Sequence, residues 1–142
     1  MDFLRFADIS TLEIPAIPIA QHLAEKLHAY TRTYRSGHSS SRVKDLIDIV
    51  ILCETQSINA GELRRSLKET FGMRSTHALP QTLPSPDHDW LTPYKFLAEE
   101  VGLATDLASG VRAAALFFNP VLNESVPNHA DWSPERSTWN IQ

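Results

Sequence analysis

Pro18-Ile19-Ala20-Gln21-His22-Leu23-Ala24-Glu25-Lys26-Leu27-His28-Ala29-Tyr30 is the stretch whose periodicity decides the fold. Ile19, Leu23, Leu27, Tyr30 and then Tyr34 recur at steps of three or four, with Ala20 and Ala24 beside them. Such steps put them on one stripe of an amphipathic helix. Pro18 suits the first turn, where an N–H would have no intrahelical acceptor in any case. The spacing predicts a helix over 19–34. After a polar loop at 36–41, Val43, Leu46, Ile47, Val50 and Ile51 repeat the pattern and predict a second helix over about 41–55. Ile49, Leu52 and Cys53 widen its apolar face, so it should be largely buried.

Downstream, Asn59 and Glu62 have capping-box spacing ahead of Leu63, Leu67 and Phe71, and Gly72 follows as a stop signal. A third helix is expected over 60–71. Residues 73–89 hold Pro80, Pro84 and Pro86 and read as an irregular, proline-stiffened connector. Thr92-Pro93 opens a helix that Gly102 ends. Thr105 or Asp106 opens another, running to about Phe118 before Asn119-Pro120. In it Val111, Ala114, Ala115, Leu116 and Phe118 should face a core, and Gly110 costs ~1 kcal/mol relative to alanine. Upstream, Phe3, Leu4, Phe6, Leu12 and Ile14 with Pro15 and Pro18 read as one or two short strands at a sheet edge. The fold class is therefore mainly α, about five helices with a short extended N-terminal segment. Residues 1–122 form the helical portion. Residues 123–142 show no periodic apolar pattern and read as a loose polar tail.

Composition sets the outer bounds. The chain has 142 residues, 42% hydrophobic and 21% charged, which is ordinary for a globular protein. A net charge of -4 provides no general attraction for nucleic acid, which would need a local patch. Arg64, Arg65 and Lys68 offer only a small basic face. One cysteine, Cys53, cannot form an internal disulfide and reads as an inert core thiol. No apolar run approaches the ~20 residues of a membrane span, and residues 1–10 lack an apolar signal region. A cytoplasmic location is the default expectation.

Two clusters hold residues able to do chemistry. In the first, Lys26 borders the apolar stripe, with His22 and Tyr30 in its helical row and Gln21, Glu25, His28 and Arg32 in the next. In the second, Arg42, Lys44, Asp45 and Asp48 crowd the first turns of an otherwise apolar helix. Spacing alone suits solvated polar faces and helical ion pairs better than catalysis. Asp48 is harder to dismiss, because Leu46, Ile47, Ile49 and Val50 surround it and a carboxylate there should have a partner, although structure remains the favoured reading. A short loop between the two helices favours antiparallel packing. That arrangement would put Lys26 level with the second turn of the second helix, near Asp48. His22, His28 and His38 lack zinc-site spacing.

In order and spacing, Ala24-Glu25-Lys26-Leu27-His28-Ala29 followed by Arg42-Val43-Lys44-Asp45-Leu46-Ile47-Asp48 resembles the A-x-K-L-x-A and R-x-K-D-x-x-D blocks of the AbiEii/AbiGii nucleotidyltransferase toxins. The resemblance covers about residues 12–122. It implies an α+β fold in the complete family, of which this is the C-terminal half. It also implies transfer of a nucleotide from a nucleoside triphosphate to an acceptor, tRNA among them. The setting would be type IV toxin–antitoxin or phage-defence systems, with a cognate antitoxin encoded nearby. Lys26 would contact the triphosphate, and Asp45 or Asp48 would position that lysine or assist magnesium. Arg42, Lys44 and Glu25 would complete substrate binding. The catalytic set is then Lys26, Asp45 and Asp48.

The sequence departs from the family pattern in one respect. The resemblance implies that a Gly-Ser motif and an Asp-x-Asp pair hold magnesium, and no Gly-Ser occurs here. The one Asp-x-Asp, Asp87-His88-Asp89, stands in the connector, after the helices. The expectation is of a truncated gene, a misplaced start codon or a split subunit, inactive alone, with magnesium ligands mostly in a missing N-terminal half. The alternative is a non-catalytic helical remnant or protein-binding module.

Overall fold

The computed structural model describes residues 18–32, 39–75 and 77–141, with the side chains of 39–41 excepted. The strands expected before Pro18 lie outside the described residues. Five helices follow: α1 (Ile19–Thr31), α2 (Ser39–Thr55), α3 (Ala60–Arg74), α4 (Leu91–Val101) and α5 (Leu107–Leu122). A 3-10 turn, His88–Trp90, leads into α4, and a hairpin of β1 (Asp131–Ser133) and β2 (Thr138–Asn140) follows α5. The chain is mainly α.

The stripe read in α1 is the buried one: Ala20, Leu23, Ala24, Leu27 and Tyr30. It packs against α2 and α3. Helix α2 is central, with α1 on one side and α4 and α5 on the other. Val43, Leu46, Ile47, Ile49, Val50 and Cys53 are therefore all buried, on more than one face of the same helix. Helix α1 stops at Thr31, short of residue 34, because Arg32 adopts extended backbone. Thr31 turns its hydroxyl onto the Leu27 carbonyl at 2.9 Å.

Three further helix ends differ from the sequence expectation. Helix α3 passes Gly72 and ends at Arg74. Ser75 takes the left-handed conformation (φ 52°) and its N–H reaches the Phe71 carbonyl. Asn59 caps its start, accepting the Glu62 N–H at 2.9 Å. Helix α4 begins at Leu91, directly on the 3-10 turn. Helix α5 runs through Pro120 to Leu122. A proline in the last turn forfeits a single donor, and the next turn closes anyway, Asn123 N–H to the Asn119 carbonyl at 2.9 Å. Leu116, expected inside, is 52% exposed.

Gly110 in α5 has a packing cause. A Cβ there would run into the Tyr94 hydroxyl and come within 2.6 Å of its Cζ. Tyr94 is fully buried, so glycine lets α4 and α5 approach.

The connector after α3 is pinned in the middle of its proline stretch. The Leu83 N–H donates to Asn119 Oδ1 at 2.7 Å, and the Tyr30 hydroxyl to the Pro84 carbonyl at 2.7 Å.

Residues after Asn123 are not a loose tail. Val126, Ala130 and Trp132 join the core. Backbone bonds tie Ala60 N–H to the Ala130 carbonyl and Trp132 N–H to the Ile58 carbonyl. The Trp132 indole N–H donates to the Cys53 carbonyl at 2.7 Å. Phe117, Trp132 and Trp139 stack and abut within 5.4 Å between ring centres. Single aromatic anchors close this end of the core, and such anchors leave no periodic signature.

Candidate functional site

The two chemical clusters converge across the α1–α2 seam. Lys26 on α1 lies opposite Asp48, and Ala29, nearly a turn later, lies opposite Arg42, earlier on α2. The two helices are therefore antiparallel. Lys26 Nζ sits 2.8 Å from Asp48 Oδ2 and 3.7 Å from Asp45 Oδ1. Arg42 Nη1 bridges Asp45 Oδ2 at 2.9 Å and the Ala29 carbonyl at 3.1 Å. That carbonyl is in the last turn of α1, where it also accepts the Arg32 N–H at 3.4 Å and lies at the negative end of the helix dipole. One guanidinium nitrogen thus closes α1 and holds an acid of α2.

Burial grades the four side chains. Asp45 is the least exposed at 13%, then Arg42 at 20%, Asp48 at 29% and Lys26 at 33%. Burial works to lower the Lys26 pKa. The hydrogen bond and charge of Asp48, with the charge of Asp45, outweigh it and hold the ammonium above the ordinary lysine value. Burial pushes Asp45 above the ordinary carboxyl value, against the opposing pull of Arg42 and Lys26. Lys44 is exposed, on the helical row of Asp48, and joins no ion pair among the described residues.

Glu25 is not brought to this cluster. It faces α3, where Oε1 accepts from Arg74 Nε at 3.1 Å and Nη2 at 2.7 Å. Here α1 and α3 frame a cleft of about 640 Å³ lined by Gln21, Glu25, His28, Arg32, Thr70 and Arg74. At its floor the His28 ring lies 4.6 Å from that of His77 and 5.0 Å from Phe71. Thr31 Oγ1 is 2.7 Å from His77 Nε2. Burial lowers the pKa of both histidines, and the two rings' proximity adds to the effect at His28. Neither Arg74 nor His77 was legible as a partner, since one follows the expected helix end and the other sits in an aperiodic connector.

The basic face of α3 is partly consumed. Arg64 donates to the carbonyls of Val121 and Val126 and to the Asn128 side chain, clamping the turn after α5. Among the described residues, no three His, Cys, Asp or Glu side chains gather where they could hold a metal ion. The inward oxygens of Asp45 and Asp48 already face Lys26, so these residues do not by themselves fit a magnesium site. No described helix is long and apolar enough to cross a membrane.

No curated protein and no solved structure matches the chain. The profile of the family described as Nucleotidyl transferase AbiEii toxin, Type IV TA system, matches residues 3–119, which include every member of the Lys26–Asp45–Asp48–Arg42 cluster. On a match over most of its length, the chain belongs to the AbiEii nucleotidyl transferase toxin family of type IV toxin–antitoxin systems.

Proposed function

We propose that Lys26 contacts the triphosphate of a nucleoside triphosphate, and that the chain serves transfer of a nucleotide to an acceptor, tRNA being the first candidate. The supporting observation is an ammonium fixed between two carboxylates yet one-third exposed. An ammonium has three donors. Asp48 and Asp45 engage up to two, which leaves one for a phosphate oxygen. Asp45 and Asp48 act as positioning acids, and exposed Lys44, four residues before Asp48, adds a second point charge. Glu25, paired with Arg74, takes no part. Magnesium would arrive with the triphosphate and neutralise its charge. The described residues do not complete a site for it. Membership in a toxin–antitoxin family implies an antitoxin partner.

The test is equilibrium binding of each nucleoside triphosphate, followed by transfer of label to total tRNA with magnesium. Salt-sensitive binding that Lys26→Ala abolishes is the expected result. Affinity unchanged by Lys26→Ala would defeat the reading.

One observation favours a second reading. Two cations and two carboxylates cancel within the cluster, as in a purely structural clasp between α1 and α2. In that case the chain is a non-catalytic helical or protein-binding module. Lys26→Met would then change stability alone.

A further inference from the structure

Asp45 and Asp48 are one helical turn apart and both face Lys26, yet they are held differently. Asp45 has a second cation: its Oδ2 accepts from Arg42 Nη1 at 2.9 Å while its Oδ1 lies 3.7 Å from Lys26. Arg42 is itself tied to the other helix through the Ala29 carbonyl at 3.1 Å. Asp45 is thus fixed on two sides and is the most buried of the four. Asp48 makes the shorter contact with Lys26, at 2.8 Å, from a more exposed position. Lys26 is its one ion-pair partner among the described residues.

We infer that Arg42 is a positioning residue which makes Asp45 the fixed anchor of Lys26, and that Asp48 is the exchangeable counter-ion Lys26 releases to an incoming polyphosphate. The inference rests on the triphosphate reading above and assigns the two acids unequal roles within it. Arg42 Nη1 spends its hydrogen bonds on Asp45 and Ala29, and through them the residue acts on Lys26 by way of Asp45. A polyphosphate oxygen reaches Lys26 from its exposed side, its charge competes with that of Asp48, and the more exposed acid yields first. Asp45 keeps the lysine stem aimed while the exchange takes place.

The experiment uses the full chain and inorganic tripolyphosphate as probe, with affinity measured by calorimetry. Asp48→Asn removes the competitor and should tighten binding about tenfold, the worth of one charge-assisted hydrogen bond. Asp45→Asn removes the anchor and should weaken binding despite making the chain less negative. Arg42→Lys keeps the charge but lacks the planar guanidinium that spans both acceptors, so it should weaken binding too. If only charge matters, Arg42→Lys binds like the parent and both Asp→Asn variants tighten alike. Either result overturns the inference.

A parent chain that binds no tripolyphosphate would sink the triphosphate reading instead. The anchor is then judged in the free protein, from the Lys26 ammonium signal in nitrogen-15 NMR, which persists only while the lysine is held in place. That signal should survive Asp48→Asn and be lost in Asp45→Asn and Arg42→Lys. The reverse pattern overturns the inference, and it holds whether or not a variant is somewhat less stable, provided the chain remains folded by its dispersed amide spectrum.

Discussion

The Lys26 ammonium and the Asp48 carboxylate, on different helices, meet at 2.8 Å across the seam between α1 and α2. Lys26→Ala leaves Asp45 and Asp48 facing each other with Arg42 alone to offset them. Chemical denaturation should show a loss of about 1 kcal/mol, the upper range for a partly exposed ion pair. A loss that persists undiminished in concentrated salt would argue that packing of the lysine stem, not its charge, is responsible.

Stability should fall as pH drops from about 7.5 to 5.5. His28 and His77 have pKa values below the ordinary histidine value, chiefly through burial. The unfolded chain titrates near 6.5. Below that pH the unfolded state binds protons that the folded state refuses, so stability present above it is lost on acidification. Asp45, whose pKa is raised, acts in the opposite sense at lower pH, where the folded state accepts a proton first. Thermal melts of His77→Gln should show a flatter profile over 7.5 to 5.5. An unchanged slope would remove the histidine pair as the cause.

Two of the helical glycines, Gly72 and Gly110, should respond in opposite directions to alanine. At Gly72 an added Cβ meets nothing within 4 Å and the backbone is helical, so Gly72→Ala should stabilise by about 0.5–1 kcal/mol. At Gly110 the same gain in helix propensity is opposed by the collision with buried Tyr94, and overpacking costs about 1–3 kcal/mol. Gly110→Ala should therefore destabilise on balance. Tyr94→Phe in the same chain should recover part of the loss, and strict additivity of the two changes would contradict the contact.

Trp132→Ala should cost about 3–5 kcal/mol, because it empties a core position and strands the Cys53 carbonyl that the indole now satisfies. Urea unfolding measures it. A loss below 1 kcal/mol would mean that residues 123–141 are an appendage and not part of the core.

By itself the sequence determined the five helices, the buried stripes of α1 and α2 and the family blocks around Lys26 and Asp45. Each of these is a local matter: apolar side chains at helical period have one way to be buried together. It also indicated that Asp48, set among Leu46, Ile47 and Ile49, required a partner. Which partner it took followed from a short connection forcing α1 and α2 antiparallel. Tertiary structure alone decided the rest. The Arg42 bridge to the Ala29 carbonyl depends on how far apart the two helix axes come to lie. Glu25 chose Arg74, and His28 chose His77, because α3 and the connector were laid against the other side of α1. Trp132 became core although nothing periodic surrounds it. Its indole found an open carbonyl at the end of α2, and a single large aromatic buries enough surface to hold a segment that no pattern marks.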